Sequence, residues 1–347
     1  MGKIVLDGSC IKNDSFNGAQ RYATEILLEL DKIVPTGRYE LLIRTGCKDL
    51  IDLKNIKKVE IDYNSTASWR LKVLLYLMKY SAWYINFENG PAIWNKSIIT
   101  QHDIYAFYNV CDNTKLYSLK RKCIALINSV VAKHIVTVSE YSKSTIVEKL
   151  PIKQDKISVI YNGWQHIKST VIDRDILKKE NLKEKEFYFF VGRLVNNKNI
   201  KWIFNVADYN PNDKFVVSGK VGNEKFEFYY GKYNNIIYTG FVSDAEMAAL
   251  FQNCKAFLFP SLMEGFGIPP LEALYHNVPI IISNTSSLPE IYEESAHYID
   301  PMRYDYNLDT ILKESVGTAD KILNKFSWEK SARLWYELIE RYAGRGD

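Results

Sequence analysis

The chain has 347 residues, enough to fold as two domains of roughly 150 to 180 residues each. With 47% hydrophobic residues, 25% charged residues and 24 Tyr, it is neither disordered nor of low complexity. Its net charge of +4 is uneven: residues 1–170 hold 24 Lys plus Arg against 16 Asp plus Glu, while the remainder holds 21 against 25, so the first half is the basic one. In chain order, "KIVLD", "YELLIRT", "KVEID", "SIITQHD" and "HIVTVSE" read as strands separated by helical patterns. The charged stretch after "ISVIYNG" marks a domain boundary near 168. Beyond it "FYFFVGRL", "KFVVSG", "NIIYTGF", "CKAFLFP" and "VPIIISN" form a second strand series, and "FSWEKSARLWYELIERYAG" reads as an amphipathic helix capped by Ser327. Two doubly wound α/β halves facing across a cleft follow from this alternation.

Several chemistries find no support. Cys10, Cys47, Cys111, Cys123 and Cys254 are scattered without a CxxC pair, and His102, His134, His166, His276 and His297 lack metal-ligand spacing. No apolar leader or 18-residue uncharged apolar run occurs, so the chain reads as cytoplasmic. Acidic residues are absent between Asp62 and Glu88 and between Asp112 and Glu140. The first gap, "SWRLKVLLYLMKYSAWY", reads as a helix with Trp69, Trp83 and Tyr84 near its ends, and both gaps have the basic amphipathic character of a segment lying on an anionic membrane. The competing reading is a core helix whose cations reach out to solvent. No motif that reads nucleic acid is present.

The stretch "PSLMEGFGIPPLEAL" sets Glu264 and Glu272 eight residues apart. Pro269 and Pro270 forbid one continuous helix, so a helix must start at the prolines, with Glu264 in the loop before it and Glu272 in its first turn. Glycines in such a strand-end loop let backbone amides approach a phosphate or sugar. "FYFFVGRLVNNKNI" ends a strand in Gly192 and Arg193 and brings Lys198 just before a helix, two cations suited to a diphosphate. Near the start, Asn17 and Gly18 lead into a helix, and "SIITQHD" sets His102 at a strand end.

Taken together, "NGAQRY", "QHD", "VSEYSKSTI", "ISVIYNG", "VGRLVNNKNI", "YTGFVSDAEMAALFQNCKAFLFPSLMEGFGIPPLEA", "SNTSSLPEI" and "FSWEKSA" resemble the family-4 retaining glycosyltransferases of GT-B architecture, in their bacterial surface-polysaccharide branch of mannosyl-, rhamnosyl- and glucosyltransferase-like enzymes. The resemblance covers nearly the whole chain. It implies two Rossmann-like domains, 1–168 binding the acceptor and 169–325 binding the nucleotide sugar, with a C-terminal helix, 326–347, packing back on the first. It implies transfer of a hexose or deoxyhexose from a UDP-, GDP- or dTDP-sugar to a glycan or polyprenyl-diphosphate-linked acceptor, with retention, no metal and no cofactor. Arg193 and Lys198 would hold the diphosphate, Glu264 the sugar hydroxyls and Glu272 the ribose. The amides of Gly265, Phe266 and Gly267 would approach sugar and phosphate beside Gly192, and Phe241 and Val242 would meet the base. Gly18 would close over the phosphates, and His102 would lie beside the anomeric carbon. Such an enzyme would work in the cytoplasm, at the inner face of the membrane if the basic segments bind it. Two departures stand out: Asn17-Gly18-Ala19-Gln20 lacks the Gly pair common in relatives, and His276-Asn277 replaces small residues and Gly. A GT-B-like sugar-nucleotide epimerase and a non-catalytic sugar-binding protein are the alternatives. The first would need acid/base carboxylates that the sequence does not reveal, and the second is usually exported.

Overall fold

In the computed structural model, residues 2–12, 17–108, 114–220 and 231–344 are described; Cys111 and Asp112 lie outside them. The chain divides into two compact units. The first runs through β1 (Ile4–Asp7), α1 (Gly18–Asp31), β2 (Tyr39–Arg44), β3 (Lys57–Ile61), α2 (Thr66–Tyr80), β4 (Trp83–Asn86), β5 (Ser97–Thr100), α3 (Lys115–Val131), β6 (His134–Thr137), α4 (Glu140–Lys149) and β7 (Ile157–Val159). Its sheet is parallel, in the order β3-β2-β1-β4-β5-β6-β7. The order reverses between β1 and β4, the switch point at which ligand crevices open in such sheets.

The second unit carries α5 (Asp175–Lys179), β8 (Phe187–Val191), α6 (Ile200–Tyr209), β9 (Lys214–Ser218), β10 (Ile236–Gly240), α7 (Asp244–Asn253), β11 (Ala256–Phe259), α8 (Pro269–Tyr275), β12 (Ile280–Ser283), α9 (Leu288–Tyr292), β13 (His297–Ile299), α10 (Leu308–Ile311) and α11 (Ala319–Lys325). Its parallel sheet has the order β10-β9-β8-β11-β12-β13, with the switch between β8 and β11. Strands such as "FYFFV" and "AFLF" are apolar throughout because helices cover both faces. Tyr188, Phe190 and Trp202 fill one side of the sheet, while Phe189, Phe251 and Phe257 pack edge to face or tilted on the other.

The units join at Gly163 and Trp164, and the chain returns to the first at Phe326 and Ser327. Segment 164–169 goes with the second unit because the Trp164 indole N–H donates to Leu323 O at 2.9 Å and the Gln165 amide to Phe326 O at 3.1 Å. The last helix, α12 (Trp328–Ala343), packs on α1 of the first unit. Ser327 caps it by accepting the Lys330 amide, and the fully buried Trp335 donates from its indole to Tyr22 at 2.7 Å. Arg38 holds Glu340 with two bonds, at 2.7 and 2.6 Å. Trp335→Ala is expected to destabilise the first unit by about 3–5 kcal/mol, read as a lower urea midpoint; an unchanged midpoint would contradict this packing.

Two strands depart from the sequence reading. The apolar helix expected across 68–84 ends at Tyr80, where Ser81 adopts the left-handed conformation (φ 47°) and caps it, and Trp83 and Tyr84 belong to β4. Strand β13, only three residues long, has no counterpart in the sequence reading. The aromatic flanks expected of a membrane helix at α2 are also lost, since Trp69 and Tyr84 are buried.

Candidate functional site

In the second unit the switch point brings two distant motifs together. Strands β8 and β11 are hydrogen-bonded neighbours, so the loops leaving their carboxyl ends lie side by side. The Leu262 amide donates to Asn197 O at 2.8 Å, which joins those loops. Lys198 Nζ then lies 2.5 Å from Glu264 Oε1 and 5.2 Å from the centre of the Phe259 ring. Glu264 is 6% exposed, and its backbone is held at both ends: its N–H donates to Ser286 Oγ and its C=O accepts from Ser287 Oγ, each at 3.0 Å. A carboxylate so deeply placed needs a cation, and Lys198 supplies it.

Gly192 and Arg193 follow β8 directly. A Cβ on Gly192 would stand 3.9 Å from Lys198 Cγ, so Gly192 borders the same ion pair. Arg193 is exposed, and its guanidinium has no hydrogen bond or ion pair among the described residues. The strand-end glycine of β9, Gly219, adopts φ +139°, and a Cβ there would lie 1.9 Å from Gly192 O. Only glycine permits that approach.

As the prolines require, α8 begins at Pro269 with Pro270 behind it, and Leu271 and Leu274 are buried. Glu272 is buried on this helix, and His166 Nε2 lies 2.9 Å from its Oε1. Gly267 takes φ +85° against Leu288 and Phe259, and its C=O accepts the Tyr292 hydroxyl. Gly265 is buried, and the Phe266 side chain packs into the core against Phe326. Phe241, just past β10, is 61% exposed beneath Lys220, whereas Val242 is buried beside the Ser243 cap of α7. Lys198, Glu264 and Gly192 are thus in one place, while Glu272 has a separate partner. Sequence reasoning missed Gly219, His166, Ser286 and Ser287; for Gly219 the signal was a lone glycine ending "KFVVSG".

The first unit holds Gly18 and His102. Gly18 opens α1, but the Asn17 side chain already accepts the Ala19 and Gln20 amides at 3.0 Å each, with Gln20 completing a capping box. Residues 13–16 lie outside the described residues. His102 is buried; its Nε2–H donates to Phe87 O at 2.9 Å and its ring meets Tyr22 edge-on. Burial lowers its pKa to about 4, so the imidazole is neutral near pH 7. His134, between Ser158 and Tyr342, is lowered to about 4 for the same reason. Glu88, which follows β4, is pushed up to about 7 by burial and by the charge of Asp7.

These shifts set a pH response. Below about pH 6.5 the unfolded chain protonates imidazoles that the folded state keeps neutral, so His102 and His134 withdraw stability between about 6.5 and 4. Glu88 acts the other way, since the folded state takes up its proton first as pH falls through about 7. Two rings outweigh one carboxyl, so urea unfolding should show a net loss from about pH 7.5 to about 4.5. His134→Gln should shrink that loss and Glu88→Gln should enlarge it; an unaltered profile in both variants would contradict these environments.

Residues 172–300 match the family of glycosyl transferases group 1. The second unit therefore carries a glycosyl transferases group 1 domain. The chain is also 27% identical over 304 residues to the O-antigen chain mannosyltransferase RfbU of Salmonella typhimurium, covering 76% of this chain and 82% of that protein. Among solved structures it resembles a sucrose-phosphate synthase from Thermosynechococcus elongatus, with a TM-score of 0.77 at 15% identity over 100% of both chains. It also resembles the Anabaena protein HepE in complex with UDP-glucose, with a TM-score of 0.75 at 15% identity over 98% of this chain and 99% of the other. The glycosyl transferases group 1 domain and its companion unit thus have the two Rossmann-like folds of the GT-B architecture, and Lys198, Glu264 and Glu272 all fall inside the matched residues.

Proposed function

We propose that this protein is a retaining, metal-independent glycosyltransferase that moves a hexose or deoxyhexose from a nucleoside diphosphate sugar to a glycan or lipid-linked glycan during cell-surface polysaccharide synthesis. The pairing of Lys198 with Glu264 at the β8/β11 switch point carries this reading. Glycosyl transfer builds positive charge on the sugar and negative charge on the departing diphosphate. Lys198 and the exposed Arg193 neutralise the diphosphate, and Glu264 orients the sugar hydroxyls. Glu272 takes the ribose, Phe241 and Val242 take the base, and the amides of Gly192, Gly265, Phe266 and Gly267 approach the phosphates and sugar. The likeness to RfbU, named a mannosyltransferase, supports mannose as the first sugar to try, and UDP-glucose in HepE supports a nucleoside diphosphate donor.

The test is transfer itself. The protein is incubated with GDP-mannose, UDP-glucose, UDP-galactose or dTDP-rhamnose and a polyprenyl-diphosphate oligosaccharide, with and without EDTA. Nucleoside diphosphate release and the anomeric proton signals of the product are followed. Acceptor-dependent release that EDTA leaves intact, with the donor's anomeric configuration kept, is the expected outcome. Epimerised donor without an acceptor, or no release from any donor, would overturn it.

We further infer that α3 rests on an anionic membrane that holds a lipid-linked acceptor. Its inner face buries Ile124, Ala125, Asn128 and Ser129, while Leu116, Leu119, Leu126, Ile127 and Val130 form one exposed apolar stripe. Leu116 is 77% and Val130 72% exposed, on a helix whose charged residues are Lys115, Lys120, Arg121 and Lys122. Each cation near an anionic surface adds roughly 1 kcal/mol of attraction. Among the described residues no helix is long and apolar enough to cross a membrane. Co-sedimentation with phosphatidylglycerol vesicles, lost with phosphatidylcholine vesicles and in L116S/V130S, is expected. Dimerisation through this stripe without vesicle binding would show that a second copy covers it instead.

A further inference from the structure

The His166–Glu272 pair has no counterpart in the motifs that carry the family resemblance. His166 lies in the single turn Gln165–Ser169, directly after the chain enters the second unit, and Glu272 lies on α8, 106 positions away. Both side chains are deeply buried, with exposures of 4% and 7%. The turn meets α8 a second time through Trp164, whose ring lies 4.8 Å from that of Tyr275, one helical turn beyond Glu272. Its other end is fixed by the bonds of Trp164 and Gln165 to the main chain at Leu323 and Phe326.

We propose that His166 is a positioning residue that sets the Glu272 carboxylate for the ribose of the donor, and so sets the preference for ribonucleotides over sugars lacking hydroxyls. This rests on the reading of Glu272 as the ribose-binding group and deepens it. A glutamate side chain is flexible, and ordering it on binding would cost affinity. The imidazole engages Oε1; Oε2 makes no hydrogen bond among the described residues and keeps its acceptor sites for a vicinal diol. His166 acts here through the Glu272 carboxylate, so its loss should act on the hydroxyl-dependent part of binding and leave base and diphosphate contacts alone.

The experiment is calorimetric titration with UDP and GDP and with their 2′,3′-dideoxy analogues, on wild type, His166→Ala, His166→Gln and Glu272→Gln, with urea midpoints for each variant. Wild type should prefer the ribonucleotide by ~10- to 100-fold, as expected when a hydrogen-bonded charged group recognises hydroxyls. Glu272→Gln should lose most of that preference. His166→Ala should reduce it to within ~3-fold through weaker ribonucleotide binding alone, and His166→Gln, which restores an N–H donor, should recover part of it. If Glu272→Gln loses the preference while His166→Ala keeps it, the positioning role is wrong and the ribose role stands. If Glu272→Gln keeps the preference, or neither UDP nor GDP binds wild type, the ribose role fails and the inference with it. Should His166→Ala not fold, His166→Asn, whose shorter amide falls short of Glu272, takes its place.

Discussion

Glu264→Gln is expected to abolish sugar transfer, with turnover falling by at least ~10²- to 10³-fold, the range seen when one preorganised electrostatic contact to a transition state is removed. Stability should respond differently. In Lys198→Met the Glu264 carboxylate, 6% exposed, is left without its cation, and a buried uncompensated charge is costly. Glu264→Gln leaves Lys198, 23% exposed at its side chain and able to turn toward water, in a milder position. The lysine variant should therefore lose about 2–4 kcal/mol and the glutamine variant about 1 kcal/mol. Combining them removes both charges, so the double variant should regain part of the stability lost in Lys198→Met. It should regain no activity. That split, with stability recovered and turnover still absent, separates a site that performs chemistry from an ion pair that only holds two loops together. Recovery of turnover in the double variant would sink the catalytic reading of the pair.

Gly219→Ala should do more damage to the fold than any substitution at a charged residue of the site. The new methyl would stand 1.9 Å from Gly192 O, a backbone atom that cannot swing aside, and at φ +139° an alanine is strained even in open space. The ends of β8 and β9 must separate just past the Val191 and Ser218 pairing, at a cost of about 3–5 kcal/mol. Gly192, Arg193 and Lys198 follow that strand end, so nucleotide binding should weaken together with the urea midpoint. Gly18→Ala is the natural comparison. Nothing lies within 4 Å of a Cβ there, and its effect on stability should stay within about 0.5–1 kcal/mol. Equal midpoints for Gly219→Ala and wild type would contradict the close approach of the two strand ends.

The contrast between these two glycines shows what a sequence reveals and what it withholds. Gly18 stands at the start of a helical pattern, yet Asn17 caps that helix and the glycine is sterically undemanding. Gly219 looked like an ordinary strand end, because the atom that forbids a side chain there belongs to Gly192, 27 positions earlier in the chain. Local chemistry was legible throughout. The double proline fixed the start of α8, Ser327 fixed that of α12, and the apolar runs at 187–191 and 256–259 gave β8 and β11. Strands β4 and β13 escaped because four and three residues carry too little periodicity, and α2 runs into β4 with only Ser81 and Ala82 between them. At the site, Lys198 and Glu264 were each readable from their motifs. Their contact follows from sheet order and was not readable, and the same is true of His166 and Glu272.

The most direct test of the account is calorimetric binding of UDP, GDP, dTDP and ADP to the wild-type protein and to Lys198→Met, with and without EDTA. One nucleoside diphosphate should bind wild type regardless of chelator, and binding should collapse in Lys198→Met. Binding of none of the four, or equal affinity in wild type and variant, would contradict the assignment of the β8/β11 loops as a diphosphate cradle.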